Sequence, residues 1–426
     1  MNNAEDALKI LEQALLPLHL TDVQELVFRQ CLAGESYPQI AVQAGYQEEY
    51  IKQVGSHLWK ILSQKLGEKV TKSNIRSIVR RYTEDLESPP FPHSPTPHQD
   101  WGDAIDIPTF YGRTKELVTL EEWIVHERCR LVMLLGIGGI GKTTLAVSLA
   151  KQIQGNFEYV IWRSLRYAPP VLDLLAELVQ FLSQEQETNL PPTLDSRLSR
   201  LMYYLRSHRC LLILDNAESI LQSGDLKGRY IDSYQEYEEL FRSVGEISSQ
   251  SVLLLTSREK PFGLAAKEDE FFIRSLKLAG LTAAESRQVF LAKGANSGSE
   301  TEWQALIAHY GGHPLAIQMV AAIVRESLEG KISPVVELLE QGSLVFDDIR
   351  DLLNRQFDRL SAKEKEVMYW LAVNREPVSF PQLQADLVTN ANSQLLEALN
   401  GLNSRSLIET TNSRFTQQPV VMEYMT

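Results

Sequence analysis

One stretch, Gly136-Ile137-Gly138-Gly139-Ile140-Gly141-Lys142-Thr143-Thr144, constrains the possible folds of this chain more than any other. It follows the apolar run Leu131 to Leu135, which reads as a buried parallel strand, and precedes Leu145 to Ala150, which reads as a helix. The order is therefore strand, glycine loop, helix. The spacing Gly136-x4-Gly141-Lys142-Thr143 is that of a phosphate loop, in which each residue type has a mechanical task. Glycines let successive N–H groups curl around an anion, and the helix starting at Lys142 adds the positive end of its dipole. Lys142 is expected to reach the β- and γ-phosphates, and the Thr143 hydroxyl to ligate Mg²⁺. Gly136, Gly138, Gly139, Ile140, Gly141 and Thr144 complete the expected cradle.

Composition narrows the setting. The 426 residues suffice for several domains, and 42 basic against 55 acidic side chains give a net charge of −13. Such a balance opposes broad, unspecific coating of nucleic acid, while leaving room for a local basic face. Cys31, Cys129 and Cys210 share no metal-ligand spacing and read as reduced thiols. The start, Met1-Asn2-Asn3-Ala4-Glu5-Asp6, lacks the basic head of a signal peptide, and no apolar run approaches the roughly 18 residues that span a bilayer. A cytoplasmic protein without a membrane partner is the expectation.

Residues 1–87 read as helical throughout, with breaks at Pro17, Gly34, Gly45 and Gly67. Ala41, Gly45 and Ile51 have the spacing of a helix-turn-helix, in which a small residue lets two helices approach, a glycine turns the chain and an apolar residue packs the second helix back. The stretch resembles the helix-turn-helix of sigma-factor and response-regulator type DNA readers. From 52 to 81, Lys52, Lys60, Lys65, Lys69, Lys72, Arg76, Arg80 and Arg81 stand against Glu68 alone, which could form a phosphate-facing surface. Glu48 and Glu49 at the head of the second helix would repel DNA, so an effector protein and DNA are both candidate partners. Pro89, Pro90, Pro92, Pro95 and Pro97 then mark an extended linker, taken as residues 88–104.

Beyond the phosphate loop, Phe157 to Arg163 reads as a strand and two amphipathic helices follow. Cys210-Leu211-Leu212-Ile213-Leu214-Asp215 is a buried strand that delivers an aspartate to its carboxyl end, where it can hold Mg²⁺ directly or through water. Val252 to Thr256 forms another such strand and runs into Ser257 and Arg258. Thr282 with Glu285 reads as a capping box, and the break Gly311-Gly312-His313-Pro314-Leu315-Ala316 falls between helices.

Taken with the segment Phe110-Tyr111-Gly112-Arg113 and with Glu116, these motifs resemble, in order, those of the STAND-class NTPases, the NB-ARC and NACHT relatives. The resemblance implies a multidomain chain. A P-loop NTPase α/β domain with a parallel sheet (105–275) would be flanked by the all-α helix-turn-helix domain (1–87), a small helical domain (276–344) and a winged-helix domain (345–426). It implies that Pro108 and Phe110 lie against the adenine, with Arg113 near the nucleotide. Arg258 would read the γ-phosphate, and Pro314, in a complete Gly-x-Pro-Leu-Ala match, would pack on the base. The family has a second acid directly after the Mg²⁺ aspartate; here Asn216 stands there and Glu218 is the nearest substitute, so slow hydrolysis is expected. The histidine of the family's winged-helix Met-His-Asp triplet is replaced by Gln418, an amide that cannot be charged.

The expected function is a nucleotide-operated signalling switch. It holds ADP or ATP with Mg²⁺, opens and self-assembles on ATP binding, and is followed by a sensor region after Thr426. The alternative is an ATP-gated, DNA-binding transcription regulator. A metabolic kinase is disfavoured because no second substrate pocket follows the sheet.

Overall fold

The computed structural model describes residues 21–66, 70–72, 75, 97–107, 109–264, 267–268, 272–294, 297–341, 347–387 and 392–425. The chain divides into two compact units, residues 1–93 and 94–426.

In the first unit, α1 (Asp22–Ala33), α2 (Tyr37–Ala44) and α3 (Glu48–Leu66) pack around Val27, Phe28, Ile40, Ile51, Leu58 and Leu62. A capping box of Thr21 and Gln24 starts α1, and Gly34 ends it in the left-handed conformation at φ 97°. Gly45, at φ 73°, makes the turn between α2 and α3. Ala41 and Ile51 are buried as the helix-turn-helix spacing requires. Tyr37 lies across the backbone at Gly55, and its hydroxyl accepts from the Trp59 indole at 2.7 Å.

The second unit is built on a six-stranded, all-parallel sheet of order β1-β3-β4-β5-β2-β6. The strands are β1 (His98–Asp100), β2 (Leu131–Leu135), β3 (Tyr159–Ser164), β4 (Cys210–Asp215), β5 (Val252–Ser257) and β6 (Ile273–Lys277). The central strands β2, β4 and β5 are buried along their whole length, as a sheet covered on both faces demands. Alternation sorts their side chains: Leu131, Met133 and Leu135 join one core, Val132 and Leu134 the other. The first core is closed by α6 (Val171–Leu182), α7 (Leu194–Ser207) and α8 (Glu236–Glu246). α4 (Thr114–Glu121) and α5 (Lys142–Ile153) cover the other face.

Both edge strands escape the sequence reading. β1 lies inside the stretch read as linker, and its His-Gln-Asp has no apolar run; β6 alternates Ile273, Arg274, Ser275, Leu276, Lys277 and is only half buried. Cys31, Cys129 and Cys210 are buried and are not joined in disulfides among the described residues.

After the sheet come α9 (Ala283–Ala292), α10 (Glu300–His309), α11 (Pro314–Ser327) and α12 (Ser333–Gln341). A last segment follows, with α13 (Asp347–Asp358), α14 (Ala362–Asn374), α15 (Phe380–Asp386), α16 (Asn392–Ser404) and α17 (Pro419–Met425). It carries an antiparallel sheet of order β7-β9-β8, from Val378–Ser379, Arg414–Gln417 and Ile408–Thr411. β7 has two residues and is too short to leave a period-two pattern in the sequence. One continuous apolar core runs from Val132 and Leu134 of the large sheet through Phe290, Val320 and Leu353 to Val420. The later helices are thereby held over the carboxyl edge of the sheet.

Candidate nucleotide site

The strand order decides what meets at that edge. β5 lies between β2 and β4, so the loop after β2, Asp215 at the end of β4 and Arg258 after β5 emerge side by side. In parallel α/β sheets this carboxyl edge is where ligands bind. A cavity of about 320 Å³ opens there, floored by Gly138, Gly139, Gly141, Lys142, Thr143 and Thr144. Asn216, Glu218 and Arg258 form one side, and Pro314, Leu315 and Gln318 of α11 the other.

Lys142 is buried, and its Nζ donates to the carbonyls of Gly136 at 2.8 Å and Ile137 at 3.0 Å. Burial pushes its ammonium down to about 8, while the Glu218 carboxylate pulls it upward. The Thr143 hydroxyl donates to Asp215 Oδ1 at 2.9 Å, and the Thr256 hydroxyl donates to the same oxygen. Burial raises the Asp215 carboxyl above its ordinary value against those two hydrogen bonds. Asn216, in the left-handed region at φ 63°, donates from Nδ2 to Asp215 Oδ2 at 2.8 Å. It therefore orients the aspartate and holds no proton-accepting group toward the cavity.

Glu218 is buried as well, and it is committed to Arg258: Oε1 takes the guanidinium Nε at 3.0 Å and Oε2 the Arg258 backbone N–H at 3.2 Å.

Arg113 lies against the phosphate loop from outside the cavity. It is buried, in the left-handed region at φ 60°, and does not line the cavity. Its guanidinium donates to the carbonyls of Ile140 at 3.1 Å and Ala279 at 2.6 Å and pairs with Glu116 at 2.8 Å; its N–H donates to Glu285 at 2.6 Å. Arg113 thus braces the phosphate loop from behind, tying it to the start of the helices after the sheet. Gly136 and Ile140 also lie beneath the cavity, with Gly136 against Leu278. Phe110 is half-buried against the core beside them, and Pro108 lies outside the described residues.

The roof holds residues that no local motif singled out. His313 caps α11: its Nδ1 accepts the Ala316 N–H at 3.4 Å, which leaves Nε2 as the donor to the Gly138 carbonyl at 2.9 Å. Burial pushes its imidazole down to about 4, so the ring is neutral. From α13, the Gln356 side chain accepts the Gly138 N–H at 3.2 Å, and Leu352 packs on the Gly138 Cα so closely that an added Cβ would lie 2.6 Å from its Cδ2. Gly139, at φ 76°, is crowded in the same way by His313 and Leu315. These glycines admit the roof as well as curving the loop. The Gly-His-Pro-Leu-Ala stretch was the one available signal for His313; Leu352 and Gln356 had none.

Gln418 is buried away from the cavity, where its N–H donates to the Leu407 carbonyl and its own carbonyl caps the start of α17.

The donor set suits a hard divalent cation: a desolvated carboxylate and a hydroxyl on adjoining elements. Among the described residues no group of three His, Cys, Asp or Glu side chains could hold a metal by itself, so an ion here would need oxygens from a ligand. No helix among the described residues is long and apolar enough to cross a membrane.

In the first unit, Lys52 is paired with Glu48 at 2.9 Å and Glu49 at 3.7 Å, which spends its charge within the helix. Two glutamates against one lysine leave the head of α3 acidic, and Val42, Tyr46 and Tyr50 are exposed as well. The side chains of Lys65, Lys69, Arg76, Arg80 and Arg81 lie outside the described residues.

Comparison with known proteins agrees with this geometry. Residues 113–280 match the NB-ARC domain, and residues 2–82 match the N-terminal helix-turn-helix of vWA-MoxR associated proteins. An uncharacterized WD repeat-containing protein of Nostoc sp. is 52% identical over 82% of this chain and 29% of its own length. The disease resistance protein RPS4 of Arabidopsis thaliana is 22% identical over 74% of this chain and 25% of its own. The chain thus spans under a third of the length of these relatives. Among solved structures, a STAND protein of Pyrococcus horikoshii with a tetratricopeptide repeat sensor overlays 76% of this chain and 44% of its own at 18% identity, with a TM-score of 0.41, too loose an overlap to carry a conclusion. Loop, aspartate strand, braced glycines and the two domain matches agree: the chain carries an NB-ARC domain, a domain of the STAND-class P-loop NTPases, with a helix-turn-helix domain ahead of it.

Proposed function

We propose that this chain is a nucleotide-operated switch that binds ADP or ATP with Mg²⁺ at the 320 Å³ cavity, hydrolyses ATP slowly, and opens and self-assembles when ATP is bound. The observation that carries the reading is the construction of the cavity. Its floor comes from the sheet, and its roof from helices more than a hundred residues later in the chain. A ligand held there touches elements that can separate, and only such differential contacts let a ligand shift a conformational equilibrium.

In this reading 276–344 is the small helical domain and 345–426 the winged-helix domain, with 105–275 as the nucleotide-binding domain and 88–104 as linker. Lys142 and the loop N–H groups bind the phosphates, and Pro314 packs on the base, with Pro108 and Phe110 on its far side. Thr143 and Asp215 would hold Mg²⁺, which would supply positive charge against the phosphate oxygens. Arg258 leaves Glu218 to meet the trailing phosphate. Slow turnover follows from the carboxylates: Asn216 is turned to Asp215, and Glu218 is occupied by Arg258. The name of the Nostoc relative supports a sensor of WD type after Thr426, and the acidic, partly apolar head of α3 favours an effector protein over DNA at the first unit.

The test is to purify the chain, identify by mass the nucleotide it carries, and titrate it with ADP and ATP with and without Mg²⁺. Hydrodynamic size is then followed after exchange of ADP for ATP. A chain that binds neither nucleotide overturns the reading. Rapid multiple turnover without any change in size leaves an ordinary ATPase in its place.

A further inference from the structure

The last segment touches the nucleotide floor through one helix end. Leu352 and Gln356, one turn apart on α13, face the phosphate loop together. Gln356 is buried, at 2% exposure, and both ends of its amide are used: the oxygen accepts the Gly138 N–H at 3.2 Å, and the nitrogen donates to the Arg405 carbonyl at 3.2 Å. Just beyond the helix, Arg359 donates to the carbonyls of Glu218 at 3.0 Å and Leu221 at 3.1 Å, and pairs with the buried Glu259 at 2.7 Å. Glu259 directly follows Arg258, and Arg405 also reaches it, at 3.4 Å. So α13 grips the loop with one residue and, three positions on, both the segment after Asp215 and the residue after Arg258.

Phosphate loops act by turning N–H groups toward anionic oxygens. At Gly138 that donor is already taken by a neutral oxygen of the chain itself. We infer that Gln356 is the residue by which this protein distinguishes its nucleotides. Its amide oxygen holds the Gly138 N–H until the additional phosphate of a nucleoside triphosphate claims that donor, and its displacement unseats α13. Arg359 is a positioning residue in the same device: it fixes the helix end so that Gln356 meets the loop, and ties that seat to Glu218 and Glu259. The inference rests on the nucleotide-switch reading.

The experiment measures affinity for ADP and for a non-hydrolysable ATP analogue with Mg²⁺, by calorimetry on the whole chain. Gln356→Met keeps the volume and removes both hydrogen bonds. The expected result is a shift of the affinity ratio toward the triphosphate analogue of about tenfold, the scale of one buried hydrogen bond. Arg359→Gln should move the ratio in the same direction. Leu353→Ala, which removes core packing from the same helix without touching the loop, should lower the unfolding midpoint and leave the ratio unchanged. An unchanged ratio in Gln356→Met overturns the inference, as does an equal shift in Leu353→Ala, which would mark Gln356 as packing only. Should Gln356→Met fail to fold, an unchanged ratio in Arg359→Gln overturns it. Failure of the wild-type chain to bind either ligand overturns the nucleotide reading and the inference with it, whereas binding with a fixed ratio overturns the inference alone.

Discussion

The floor and the roof of the cavity are built on different principles. The floor is local: Gly138 to Thr144 is one loop and the first turn of α5, and its polar groups answer one another over short sequence distances, as Lys142 does with Gly136 and Ile137. The roof is assembled from afar. His313 and Gln356 lie 175 and 218 positions from Gly138, yet they take its carbonyl and its N–H. Both regions converge on Gly138, whose carbonyl and N–H each have a partner in the roof and whose Cα lies against Leu352. A floor by itself would bind phosphate in any member of the P-loop class. In the proposed switch, the roof is what would turn binding into a change of arrangement.

Removing the floor's charge is the largest way to break this comparison. Lys142→Ala should weaken nucleotide binding by roughly a thousandfold in a calorimetric titration, because a charge-assisted contact is lost and a buried anion left short of a partner. Retained affinity would remove the floor from the site.

Next in size is acid, which acts on the roof. The His313 imidazole lies at about 4 in the fold against about 6.5 when unfolded, so the unfolded chain takes up its proton first. Its contribution is complete above pH 6.5 and is lost as pH falls toward 4, by up to about 3 kcal/mol. Urea unfolding across that range should show this slope in the wild type and a flatter one in His313→Asn.

Gly138→Ala comes third. The new methyl meets Leu352, the mobile end of a leucine that can yield in part, so a loss of about 1–2 kcal/mol in stability is expected by chemical denaturation. A neutral outcome would mean that the roof does not rest on the loop in solution.

The smallest effect belongs to the first unit. Lys52→Gln removes two exposed ion pairs within α3 and should leave its unfolding midpoint unchanged.

The sequence carried the floor almost in full, because a phosphate loop, a strand ending in Asp215 and a strand ending at Arg258 are patterns of neighbours. The helix-turn-helix was legible for the same reason: Ala41, Gly45 and Ile51 lie within two adjoining helices and are buried or turned as their spacing required. The edge strands β1 and β6 were not, since an exposed edge needs no apolar run. Arg113 was legible as a residue of interest, but its partners were not. Its position in a family-like segment pointed toward a ligand, while its side chain turned inward to backbone carbonyls of Ile140 and Ala279. Gln356 had no signal at all, because a glutamine in an amphipathic helix looks like any other polar residue until the fold buries it.

The chain's residues by themselves determined that a phosphate-binding loop sits at the end of a buried parallel strand, with an aspartate and an arginine on strands able to join it. Short-range geometry and the apolar periodicity of strands are written residue by residue. Only the tertiary structure decided that Glu218 holds Arg258, that Asn216 serves Asp215, and that α11 and α13 close over the loop. The reason is physical: those contacts form between groups whose meeting is set by the strand order and by a continuous core shared across the unit, and neither is encoded in any local window of sequence.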